Sequence, residues 1–118
     1  MDSILTSIKK LLGITKEYNN FDEDIIMHIN TVFMNLHQLG VGPLEGFRIE
    51  DASATWDDFI KVDENDPNSL LISSAVKSYI HLKVKLLFDP PVSSAVMEAI
   101  KQSISELEWR LNIQVESK

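Results

Sequence analysis

The sequence predicts an all-α fold: a small bundle of about four helices, with a long loop containing a short hairpin or helical turn between helices 2 and 3. Three observations carry this. Residues 69–112 read as two amphipathic helices broken at Asp89-Pro90-Pro91. Residues 22–39 keep apolar side chains on one helical face and polar ones on the other. The chain has 118 residues and is 44% apolar, enough for one core in one domain spanning 1–118.

The first helix is expected at about 3–12. Ile4, Leu5, Ile8, Leu11 and Leu12 recur at helical spacing, and Ser3, Thr6, Ser7, Lys9 and Lys10 fall on the other side. Asp2 or Ser3 caps the start, and Gly13 ends the run. Such a stripe can lie on a membrane surface, but two lysines attract lipid weakly, and packing on protein is the better reading.

The second helix is expected at 22–39. Asp22 is placed as N-cap, with Phe21 and Ile26 as a hydrophobic staple, and Glu23 and Asp24 complement the helix dipole. Ile25, Ile29, Val32, Phe33 and Leu36 make one face. Asp24, His28, Thr31, Asn35 and Gln38 make the other. Gly40 stops the helix.

A loop then runs over 41–68. Gly42-Pro43 and Glu45-Gly46 are turn signals, and Phe47-Arg48-Ile49 alternates long enough for a hairpin arm. Thr55 to Phe59 reads as one helical turn capped by Thr55, with Asp58 completing a capping box. Asp63 to Asn68 is polar. Loops this long in small domains are usually functional or partly disordered, so partner contacts are sought here first.

The third helix is expected at 69–88, with a stripe of Ile72, Ala75, Tyr79, Leu82 and Leu86 widened by Val76, Ile80 and Leu87. Ser74, Lys77, Ser78, His81 and Lys85 face away. Pro90 and Pro91 cannot continue it. The fourth helix, 92–112, carries Val96, Ile100, Ile104, Leu107 and Leu111. The short break packs the two antiparallel. Residues 113–118 are expected to fray.

Chemistry is scarce. The net charge of −7 argues against a simple duplex-binding surface. The absence of cysteine excludes disulfides and thiolate zinc sites and fits a reducing compartment. No apolar run approaches the ~18 residues that span a bilayer, and residues 1–14 lack the pattern of a secretory signal. Synthesis and function without crossing a membrane are therefore expected. His28 and His37 share a direction but lie ~13 Å apart along their helix, too far to share a metal. Asp63 to Ser74 lacks the Gly and Glu of a calcium loop. Adjacent Asp57 and Asp58 splay apart, a poor acid–base pair. There is no phosphate-binding glycine loop. No catalytic residue, cofactor or metal is expected.

Two aromatic features remain. Trp56 and Phe59, beside Asp57 and Asp58, are either a lid over the open end of the bundle or a docking element for a basic partner. Trp109 lies with Glu98, Gln102 and Ser105 on the polar side of its helix. It is either half-covered by a local neighbour or part of a contact with another chain.

A family resemblance takes the reading further. It is carried by Ile8 to Ile14, by Phe21-Asp22 with Asp24 to Asn30, and by Gln38 to Pro43. It continues in Ser53 to Phe59, Lys77 to Pro91 and Ile104 to Asn112. Across most of its length the chain resembles the small head–tail connector proteins of long-tailed bacteriophages and prophages of Gram-positive hosts, often called DNA-packaging or head–tail joining proteins. The likeness lies in helix faces and a Pro-Pro turn, not in a catalytic signature. It implies a small helical bundle, present in around a dozen copies as a ring beneath the portal. The ring joins head to tail and lets double-stranded DNA pass without sequence-specific binding.

The implied partners are the portal protein, tail-side connector proteins and sister subunits, and no membrane. The implied location is the virion, and the host cytoplasm before assembly. Trp56, Asp57, Asp58, Phe59 and Trp109 are then expected at protein interfaces, and Asp63, Glu64 and Asp66 along the DNA passage. The alternative is a small helical interaction or regulatory module from a phage-derived region.

Overall fold

The computed structural model describes residues 3–116. Five helices follow one another: α1 (Ile4–Leu11), α2 (Asp22–Gln38), α3 (Trp56–Phe59), α4 (Pro67–Phe88) and α5 (Ser94–Glu116). The four longer helices make the bundle, and α3 is the helical turn expected inside the 41–68 loop. α4 is the central rod, packed against α1, α2 and α5.

The α2 face forms as its spacing requires. Ile25, Ile29, Val32, Phe33 and Leu36 are all buried. They meet Val76, Tyr79, Ile80 and Val84 of α4, Ile4, Leu5 and Ile8 of α1, and Ile104 and Leu111 of α5 in one core. The buried line on α4 is narrower than the expected stripe. Val84 joins it, Ile72, Ala75, Leu82 and Leu86 are half-buried, and Leu87 is exposed. A helix flanked by α2 on one side and α5 on the other buries the line between its two neighbours. Consequently Lys77, His81 and Lys85 are half-buried and do not simply face away.

Several boundaries move for physical reasons. α4 begins two residues early, at Pro67, because Asp66 caps it by accepting the Asn68 N–H at 3.0 Å and proline suits the first helical position. α2 is not capped by Asp22. Phe21 holds the N-cap position without a side-chain bond, so the Phe21–Ile26 staple positions are not those of the helix. The Asp22 carboxylate is taken by Lys9, 2.8 Å away. α5 begins at Ser94 and runs on to Glu116, so 113–116 is helical and not frayed, while 117–118 lies outside the described residues. Ser3 caps α1 through the Thr6 N–H; Asp2 lies outside the described residues.

The hairpin arm at Phe47–Ile49 does not form. Among the described residues there is no strand, only an isolated bridge between Ser3 and Thr55. The reason is local. The Asn30 side chain of α2 donates to the Ile49 carbonyl at 2.9 Å and accepts the Ile49 N–H at 2.7 Å. One side-chain amide thus supplies what a partner strand would have supplied, and Ile49 is buried beneath it.

Candidate interaction surfaces

α3 is the first expected contact element, and it faces inward. Trp56 and Phe59 are 7% and 6% exposed. Trp56 donates its indole N–H to Ser7 Oγ at 3.1 Å, and the Lys77 ammonium sits 5.5 Å from its ring centroid. Phe59 stacks with Phe33 and Phe47 at centroid distances of 4.7 and 5.3 Å. The turn is set by the expected capping box, with Asp58 accepting the Thr55 N–H at 2.8 Å. The two aromatics therefore lie buried as a lid over the bundle, one of the two readings the sequence left open. Asp58 is occupied in the cap, and Asp57 stays half-exposed beside it.

The acidic segment after α3 is exposed, but two of its three carboxylates have local duties. Asp63 accepts the Asn65 N–H at 3.0 Å, and Asp66 caps α4. Glu64 is exposed and has no such bond among the described residues. Among the described residues no group of three or more histidines or acids could hold a metal, and no helix is long and apolar enough to cross a membrane.

Trp109 is the residue that stands out. It is 66% exposed on α5. With Leu107, Arg110, Leu111 and Ile113 it lines a groove of about 340 Å³ against Leu71, Ile72 and Ala75 of α4. Beside the groove a polar tie joins α4 and α5. At that tie, Tyr79 donates to Glu108 at 2.7 Å, and Lys83 reaches both Asn35 (2.8 Å) and Glu108 (3.9 Å). Burial and then the Glu108 carboxylate push the Tyr79 phenol above its ordinary pKa, so it stays a donor.

A second apolar surface was not foreseen. Tyr18, Phe21 and Phe88 form a ladder of rings at 5.6 and 5.4 Å, extended by His28 at 6.4 Å from Phe88. Tyr18, Phe21 and the neighbouring Leu87 are 46%, 42% and 48% exposed. Helical periodicity cannot find this patch, since Tyr18 and Phe21 sit in the α1–α2 connection. The available signal was two aromatics three residues apart in a polar segment.

Neither the curated proteins nor the solved structures contain a significant match to the chain. The family model described as "Phage connector protein" matches residues 4–118, taking in every helix from α1 to α5, and the chain belongs to that family.

Proposed function

We propose that the protein is a structural head–tail connector of a long-tailed bacteriophage or prophage of a Gram-positive host. As one domain, it assembles in around a dozen copies as a ring beneath the portal. The ring joins capsid to tail-side connector proteins and leaves a passage for double-stranded DNA. It acts in the virion after synthesis in the host cytoplasm, and it needs no catalytic residue or cofactor. The observation that carries this reading is the family match across residues 4–118. The surface supports it: apolar side chains are left uncovered at the Trp109 groove and the Phe21 ladder, as in a subunit built for contacts.

Of the interface residues expected from sequence, Trp109 and Asp57 remain in the proposal, and Asp58 contributes through the cap that shapes the loop. Trp56 and Phe59 act indirectly, by holding that loop. Asp63, Glu64 and Asp66 are all exposed and would line the passage, and of the three Glu64 has no local side-chain bond among the described residues. An acidic passage repels the phosphate backbone and lets the genome slide.

Negative-stain microscopy of the purified protein, alone and mixed with the portal protein of the same phage, tests the reading. Rings or capped portals are expected. A persistent monomer that ignores the portal would overturn it and favour a separate helical interaction module.

A further inference from the structure

α4 carries an uncovered apolar surface at each end, and the two surfaces differ. Near its start, Leu71, Ile72 and Ala75 face Trp109 and Leu111 across a concave groove. Near its end, Phe88 joins the ring ladder of the exposed Phe21 and Tyr18. Sixteen residues separate Ile72 from Phe88, which places the two surfaces ~24 Å apart along the helix. The chain therefore presents a hollow at one end and an exposed aromatic ladder at the other. That is the requirement for a head-to-tail contact, in which one patch meets a different patch on the next copy.

Charge points the same way. Arg110 lines the groove and forms no ion pair among the described residues. The ladder is bordered by the exposed carboxylates of Glu23 and Asp24, in the first turn of α2 directly after Phe21. Asp22 of the same turn is already bound to Lys9. On a chain of net charge −7, an exposed arginine with no ion pair among the described residues, beside an apolar hollow, is a selective feature. Its charge is complementary to the exposed carboxylates beside the aromatic ladder, which pair apolar rings with negative charge as the groove pairs apolar side chains with positive charge.

We infer that the Trp109 groove of one copy receives the Phe21–Tyr18 ladder of the next, with Arg110 set against Glu23 and Asp24. This rests on the ring reading given above and assigns the surfaces through which neighbouring copies meet. Trp109 and Phe21 supply the apolar anchor, and the charges set orientation.

The chain has no cysteine, so introduced pairs report cleanly. Glu23, Asp24 and Arg110 are exposed, and circular dichroism checks that their variants fold. The double variants Glu23→Cys/Arg110→Cys and Asp24→Cys/Arg110→Cys are oxidised under ring-forming conditions, with portal present if assembly needs it. A disulfide requires Cα atoms within ~7 Å, which the separation of the two ends forbids inside one copy. Covalent bands climbing from dimer upward in at least one double variant, and absent from each single variant, are expected. Rings under the microscope without such bands would overturn the surface assignment and leave the ring standing. A disulfide dimer from Arg110→Cys alone would also overturn it, because groove would then face groove. Failure of any copy to associate would overturn both readings. A charge test runs in parallel. Arg110→Glu raises the concentration needed for assembly about tenfold, and Glu23→Arg/Asp24→Arg in the same chain restores it; no shift with Arg110→Glu contradicts the pairing.

Discussion

Lys9 shows how one charged side chain can be structural. Periodicity puts it on the polar side of α1, yet it is 2% exposed. Its ammonium lies 2.8 Å from Asp22 and donates to the Lys16 carbonyl at 3.2 Å. The α1–α2 connection folds back over the helix and converts a solvent-facing lysine into a clip. Replacing it leaves Asp22 partly buried with no counter-charge. Lys9→Met should destabilise the fold by ~2–3 kcal/mol, at or below the low end for an orphaned buried charge, because the Asp22 side chain keeps 26% exposure. Chemical denaturation measures this, and Lys9→Met/Asp22→Asn should recover part of the loss. A double variant as unstable as the single would show that the lysine stem, not its charge, matters. Nothing in the sequence marks Lys9 off from its neighbour Lys10, because the burial comes from a connection without periodicity.

At the scale of elements, the 41–68 loop is anchored by a few contacts that cross to helices. Gly42 is one of them. Its φ is +97°, and a Cβ there would lie 2.5 Å from the Phe59 ring. Left-handed backbone costs a non-glycine residue ~1–2 kcal/mol, and displacing a packed ring adds ~1–3. Gly42→Ala should therefore lower stability by ~2–5 kcal/mol in a denaturant titration, with Phe59 losing its packing on Phe33. An effect below about half a kcal/mol, the range of ordinary surface changes, would mean the lid is loosely seated. A second crossing contact joins α4 to α1. Burial, and then the Lys85 charge, hold His81 below its ordinary pKa, opposed by a hydrogen bond to the Leu11 backbone. A histidine with a depressed native pKa binds protons more readily when unfolded, so its neutral form stabilises the fold at neutral pH. That contribution is lost as pH falls from about 6.5, the unfolded value. Denaturation midpoints should drop between pH 7.5 and 5.5, and His81→Gln should flatten the slope; equal slopes would contradict the assignment. Helix faces were legible because burial repeats along them: α2 in full, α4 and α5 in outline, and α3 from its capping box. The Asn30–Ile49 clamp and the Tyr18–Phe21–Phe88 ladder were not, and the inward turn of Trp56 was one of two readings the sequence left open. Each joins residues from different elements, and a single sequence carries no periodic trace of such meetings.

At the scale of the whole molecule, net charge and shape act together. One chain carries −7, and the proposed ring would repeat that charge, so every carboxylate lining a passage would add to the field inside it. Asp63 and Asp66 keep their charge but also hold the turn that starts α4, whereas Glu64 has no such local bond among the described residues. This distinguishes local folding from function. Asp66→Ala should lower stability by ~1 kcal/mol through the lost cap. Glu64→Lys should leave the melt unchanged and alter only how the assembled protein meets DNA. Rings of the wild type should not retard duplex DNA even at low salt. Glu64→Lys adds two positive units per copy, so its rings should bind DNA weakly, and the binding should vanish as salt rises. Duplex mobility in a gel, read at two salt concentrations, decides between the outcomes. If Glu64→Lys rings bind no better than wild type, the loop tip does not face the passage, and the acidic charge serves solubility on the outer wall.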